Sequence, residues 1–244
     1  GRLIDYTGHI NRLSRSLNEI SIKYPINIRS ILFHMRNIIR KNLIVDGLIY
    51  LQITRGVAKR DFKFPKNLDS TITIIGNNIP SDEYDKAFEK GINVVTTRDL
   101  RWKRVDIKSL NLLAPVLAKQ YANESNAQEA WLIDDNGFIT EGSSSNAWIL
   151  IGKTVYTRPV SSSILNGITR NTLIKGLNKH GYSFKEKKFN VNDIKKSKEA
   201  YITSATQYVM PVVKVNNKKI GTGKVGKFAK IFKEIYLESV QLKS

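Results

Sequence analysis

The chain has 244 residues, enough for a substantial core in one large or two small domains, and its 41% hydrophobic content is that of a globular protein rather than a disordered one. It contains no cysteine and three scattered histidines, which removes disulfides, thiolate metal sites and a cysteine nucleophile and leaves little from which to build a zinc site. Against 21 Asp and Glu stand 40 Lys and Arg, a net charge of +19, but the lysines are spread along the chain with only short clusters at 185–188 and 195–198, so the surplus reads as a solvated surface rather than a phosphate-binding face.

In chain order, residues 1–6 read as the second half of a hairpin whose first half is absent, so a truncated chain is expected. His9-Ile10-Asn11-Arg12-Leu13 opens an amphipathic helix, with Ile10, Leu13, Leu17 and Ile20 at helical spacing. A second helix is predicted over Ile28–Lys41 and a strand over Gly47–Thr54, followed by a basic loop that carries Lys59, Arg60, Phe62 and Lys63. After a strand over 70–76, the polar stretch 77–82 is the best linker, and the domain boundary is placed there, dividing 1–80 from 81–244. A strand over 91–96 leads to Arg101-Trp102-Lys103-Arg104 and then to Asp106-Ile107-Lys108-Ser109-Leu110-Asn111-Leu112-Leu113. That run sets one lysine among apolar residues at the head of a helix pattern.

The apolar runs 129–133 and 147–151 are strand candidates that flank Asn136-Gly137-Phe138-Ile139-Thr140-Glu141-Gly142-Ser143-Ser144-Ser145-Asn146, which holds Glu141 at a turn between strands. An acid followed by Gly and three hydroxyl residues is more than a hairpin turn needs. Residues 153–159 complete a hairpin, and Asn166-Gly167-Ile168-Thr169-Arg170 starts a helix to about 179. A helix N-terminus where Gly allows close approach and Thr supplies a hydroxyl suits a phosphate. A strand over 200–206 runs into a turn with Ser204, Ala205 and Thr206. Residues 221–227 fit both G-x-G-x-x-G and part of a P-loop, yet Phe228 replaces the residue that would hold magnesium and no second strand follows. This stretch therefore reads as a turn before a helix over 225–242.

The Lys108, Glu141 and Gly167-Ile168-Thr169 stretches stand in the order and at the intervals of the class IV (fold type IV) pyridoxal phosphate aminotransferases. The sequence resembles this family over almost its whole length, and within it is most similar to the D-amino-acid aminotransferases. The resemblance implies an α+β fold of two domains, a smaller N-terminal α/β domain lacking its first strands and a larger C-terminal cofactor-binding domain. It also implies a homodimer with shared active sites.

For the residues, the resemblance implies that Lys108 forms a Schiff base with pyridoxal 5'-phosphate and shuttles the substrate α-proton, for which part of the lysine must be deprotonated, by desolvation near other cations. Glu141 would keep the ring nitrogen protonated, so that the ring acts as an electron sink. Arg12, Ile168 and Thr169 would hold the cofactor phosphate, with Ser204 and the backbone N–H of Ala205 as further contacts and Thr206 nearby on the substrate side. Arg60 would grip the substrate carboxylate, a task suited to its planar fork, from the neighbouring subunit. Phe62 departs from the family pattern, which has His there. Ser143, Ser144 and Ser145 would offer hydroxyls or backbone N–H groups to cofactor or substrate.

The implied reaction is transamination of D-alanine-like amino acids with 2-oxo acids. Branched-chain aminotransferase and aminodeoxychorismate lyase are the runners-up in the same superfamily, and Arg60 and the Lys108 context favour the D-amino-acid reading. A basic non-catalytic nucleic-acid-binding protein is the rival from another class. With neither a membrane-length apolar run nor a signal-peptide pattern, a soluble cytoplasmic protein without a membrane partner is expected.

Overall fold

A computed structural model describes residues 2–24, 27–66, 68–79 and 81–241. The chain divides into two compact units, residues 1–83 and 84–244.

The first unit holds helices α1 (Tyr6–Glu19) and α2 (Ile28–Lys41) and strands β1 (Gly47–Thr54) and β2 (Thr71–Asn78). The Asn27 side chain caps α2 by accepting from the Ser30 N–H, as a short polar residue ahead of an apolar period should. Ile10, Ile31 and Met35 form the buried centre of the unit, with Leu13, Ile49, Leu51 and Ile74 packed against it. Two expectations change here. No strand includes residues 2–5 among the described residues; α1 starts at Tyr6, after Asp5 in the left-handed conformation. The stretch 77–82 is not a linker, because Asn77 and Asn78 pair with Leu48 and Gly47 and α3 (Ser81–Lys90) follows at once.

The second unit is built on one mixed sheet. Its strands are β3 (Ile92–Arg98), β4 (Glu129–Ile133), β5 (Ile139–Gly142), β6 (Asn146–Ile151), β7 (Thr154–Thr157), β8 (Phe184–Glu186), β9 (Glu199–Ser204), β10 (Tyr208–Val215) and β11 (Lys218–Lys219). Their order is β5-β4-β3-β10-β9-β6-β7-β8, with β11 beside β10. β3 runs parallel to both β4 and β10, and β10 carries Pro211 next to a register shift at Val212 and Lys214, the irregular position at which an interior strand tolerates a missing N–H. Helix α4 (Leu113–Glu124) covers β3 and β4, where Ala118, Ala122, Ala130 and Leu132 are buried together. Helices α5 (Ile168–Lys179) and α7 (Lys227–Ser239) pack on each other and on β9. A short helix, α6 (Val191–Lys196), is closed by a capping box between Asn190 and Asp193.

The start of α7, after the glycine-rich stretch, is satisfied from within the chain. The Glu199 carboxylate accepts the Phe228 and Ala229 N–H groups at 3.1 and 3.0 Å, so the helix N-terminus already holds an anion from its own chain. A Cβ on Gly226 would lie 2.1 Å from Glu199 Cδ, which accounts for the glycine there. Among the described residues, no helix is long and apolar enough to cross a membrane.

Candidate active site

Glu141 lies near the end of β5 with 4% of its surface exposed. Its carboxylate accepts a short hydrogen bond from an Arg101 Nη1–H, one from Asn146 Nδ2 at 2.8 Å, and the Leu165 N–H at 3.0 and 3.1 Å to its two oxygens. Burial pushes this carboxyl from 4.5 up to about 7 against the opposing pull of Arg101 and the Leu165 N–H. Arg101 is itself shared. Its Nε and Nη2 donate to the two oxygens of Asp99 at 2.9 and 2.8 Å and its Nη2 to the Ser163 carbonyl at 3.2 Å, while the Thr140 hydroxyl donates to Asp99 at 2.8 Å. Burial opposes charge on both Asp99 and Arg101, yet the mutual hydrogen bonds and ion pair prevail, holding Asp99 below the usual carboxylate range and Arg101 above its own.

Asn146, at the start of β6, ties this acid to the turn leading into α5. Its amide donates both to Glu141 and, at 2.9 Å, to the Leu165 carbonyl. A Cβ on Gly167 would meet Asn146 Oδ1 at 2.1 Å, so only glycine lets α5 start this close to Asn146. Gly167 is the N-cap, and no side-chain hydrogen bond caps the helix, so the first N–H groups of α5, at Ile168 and Thr169, keep their donor capacity. Asn166 Oδ1, in the same turn, is a buried acceptor with no partner.

The turn with Ser204, Ala205 and Thr206 lies at the same end of the sheet, because Thr203 of β9 pairs with Asn146 of β6. Ser204 Oγ accepts the Gln207 N–H at 3.1 Å and stands 3.5 Å from Thr206 Oγ1, while Ala205 and Thr206 are exposed.

Lys108 lies in the stretch of turns between Arg101 and α4, and this stretch is fastened to the turn leading into α5. The Val105 N–H donates to the Ser162 carbonyl at 3.1 Å and Arg101 to that of Ser163. The expected desolvation of Lys108 is not met within this chain: the segment turns before α4 begins at Leu113, which buries Asp106 and Ile107 and leaves Lys108 exposed. Of the hydroxyl and backbone alternatives open for the serines, the hydroxyls of Ser143, Ser144 and Ser145 are engaged within the chain, all donating to Glu129, and the Ser143 N–H donates to Glu129 and to the Ala130 carbonyl.

Arg12 and Arg60 belong to the first unit. Arg12 on α1 is half-buried and stands 3.4 Å from His9 Nδ1, and burial lowers its pKa to about 10, so it stays a cation at neutral pH. Arg60 is exposed in the loop after β1, 5.3 Å above the ring of Phe62, which is itself 91% exposed.

This set suits a phosphorylated pyridine. The ring nitrogen needs a buried acid, the phosphate needs an uncapped helix N-terminus, and Asn146 and Leu165 hold the two side by side. Residues 1–215 match the family of class IV amino-transferases. The chain belongs to the class IV aminotransferases. It is 40% identical to the D-alanine aminotransferase of Staphylococcus aureus (strain N315) over 243 residues, which cover 98% of this chain and 85% of that protein. To the D-alanine aminotransferase of Bacillus licheniformis it is 36% identical over 230 residues, 94% of this chain and 80% of that one.

Among solved structures, the branched-chain amino acid aminotransferase of Escherichia coli superposes with a TM-score of 0.88 at 22% identity, over 99% of this chain and 82% of that one. A second branched-chain amino acid aminotransferase, that of T.th. with pyridoxamine 5'-phosphate, gives 0.91 at 22% identity, over 98% and 80%. At such identity these two likenesses speak for the fold. The class IV fold thus accounts for the mixed sheet and its flanking helices. Sequence reasoning missed Arg101, Asp99, Asn146 and Glu129. The signal for Asn146 was its place directly after the serine run; Asp99 and Arg101 pair two residues apart, but what ties them and Glu129 to the site, Thr140, Glu141 and Ser143, lies 41, 40 and 14 residues away and gave none.

Proposed function

We propose that this class IV aminotransferase uses pyridoxal 5'-phosphate to move the amino group of D-alanine-like amino acids to 2-oxo acids. The observation that carries the reading is the joining of Glu141 to the uncapped start of α5 through Asn146 and Leu165, together with the likeness to D-alanine aminotransferases over nearly the whole chain.

When bound, the cofactor supplies an electron-withdrawing ring that stabilises negative charge at the substrate α-carbon. Glu141 would stand against the ring nitrogen and keep a proton there, and Arg101, held in turn by Asp99, fixes the orientation of that carboxylate. Arg12, the N–H groups of Ile168 and Thr169, Ser204 and the backbone of Ala205 would hold the phosphate. Lys108 would hold the cofactor covalently, and its Nζ would be the group that takes the proton from the substrate α-carbon and returns one. Arg60 would fix the α-carboxylate through a charge-assisted hydrogen bond, from the neighbouring subunit. Thr206 and the backbone N–H of Ser144 bound the substrate side, the Ser144 hydroxyl being taken by Glu129.

The working form is a homodimer. Leu113, Val116, Leu117 and Tyr121 lie on one face of α4 at helical spacing and are exposed in the single chain, Leu113 by 72%. A partner over this region would also desolvate the neighbouring Lys108. A reducing cytoplasm suits a chain without cysteine. The test compares D-alanine, L-leucine and aminodeoxychorismate as substrates. Turnover of D-alanine with 2-oxoglutarate is expected; preference for L-leucine would make it a branched-chain enzyme, and pyruvate release from aminodeoxychorismate alone a lyase.

A further inference from the structure

Glu129 opens β4 with no exposed surface (0%), a carboxylate at the head of an otherwise apolar strand. Its Oε1 accepts the Ala130 N–H at 2.8 Å, the Ser143 N–H at 3.2 Å and a short bond from the Ser143 hydroxyl. Its Oε2 accepts the Ser144 and Ser145 hydroxyls at 3.0 and 2.9 Å, and Lys119 Nζ stands 3.6 Å from Oε1. Burying a carboxylate is costly unless its lone pairs are taken up, and here the hydroxyls of three consecutive residues converge on it to do so. A carboxylate, with acceptor capacity on both oxygens, can take all of these donors at once.

What the arrangement holds is the turn that follows Glu141. The Gly142 N–H donates to the Ser145 carbonyl at 2.6 Å and the Ser143 N–H also donates to the Ala130 carbonyl at 2.9 Å. Gly142 is packed so closely that a Cβ there would lie 2.2 Å from Ser145 Oγ and 3.2 Å from Glu129 Cδ. The turn ends at Asn146, whose amide grips Glu141. Glu141 is therefore fixed from both sides of a turn whose shape depends on one buried anion.

We infer that Glu129 is a positioning residue for Glu141: by clasping Ser143, Ser144 and Ser145 it sets the place and direction of the Glu141 carboxylate without touching cofactor or substrate. The inference rests on the role proposed for Glu141, and its test separates the two. In the holoenzyme, Glu129→Gln should speed amide hydrogen exchange at Gly142 and Ser143 by about tenfold or more while the remaining amides of β4 and β6 keep their protection. It should also slow a single turnover with D-alanine by about tenfold, yet change it by less than about twofold when combined with Glu141→Gln, because the effect passes through that carboxylate. Glu141→Gln alone supplies the reference. Ser144→Ala, at an exposed position, should show the same pattern at about threefold if Glu129→Gln does not fold. Equal slowing on both backgrounds, or unchanged exchange at Gly142 and Ser143, would overturn the inference. An inactive wild type would instead refute the proposed reaction, and the exchange measurement would still decide the clasp.

Discussion

Burial of Glu141 has a consequence for stability that Glu141→Gln exposes. The carboxyl rises from 4.5 to about 7 because burial disfavours its charge more than Arg101 and the Leu165 N–H favour it, with Asp99 adding to the rise. A change of that size corresponds to about 3 kcal/mol. Since the folded-state pKa is raised, the folded protein binds the extra proton, and the associated stability is full below about pH 4.5 and lost as pH rises through about 7. The neutral amide of the Glu141→Gln variant mimics the protonated acid at every pH. In cofactor-free protein, the melting temperature of the wild type should therefore fall relative to the variant between pH 4.5 and pH 7, by about 6–12 °C at about 2–4 °C per kcal/mol for a chain of this size. Other titrating groups, Asp99 included, are present in both proteins and largely cancel in the difference. A difference that stays flat from pH 4 to pH 8 would refute the reasoning. One that runs the other way would show that the Arg101 ion pair outweighs desolvation.

Arg60→Ala should lower kcat/KM for D-alanine by about one to two orders of magnitude, the loss of a charge-assisted hydrogen bond of about 1.5–3 kcal/mol, while leaving cofactor affinity unchanged; an unaltered kcat/KM would remove Arg60 from the substrate site. Arg12→Met should weaken cofactor binding by about tenfold or more, measured by absorbance titration, with the cofactor-free melting temperature within about 2 °C of the wild type. Equal affinity would mean that Arg12 holds no phosphate. Leu117→Glu, which sets a charge in the apolar face of α4, should shift the protein from dimer to monomer in sedimentation analysis, and a dimer that persists would place the interface elsewhere.

Periodicity located α2, β1 and β4 to the residue, because each is a regular apolar pattern bounded by polar or glycine residues. The α6 capping box, Asn190 to Asp193, was legible and went unread. β10 was hidden by Pro211, which argues against an interior strand unless the register shift beside it is known. The stretch 77–82 looked like a linker because Asn signals turns, whereas pairing with β1 decides its conformation. At the site, Glu141 and Gly167-Ile168-Thr169 could be found because each motif is contiguous. Arg101 could not, as it meets Glu141 from 40 residues away across the sheet. The exposure of Lys108 reflects the same limit, since what surrounds a side chain is set by tertiary packing and not by its neighbours in sequence.

The central claim is that Lys108 carries the cofactor, and borohydride reduction of the holoenzyme followed by peptide mapping tests it directly. The account predicts loss of the visible absorbance band and a single modified peptide with the cofactor fixed to Lys108 Nζ. A label on any other lysine, or none at all, would contradict it.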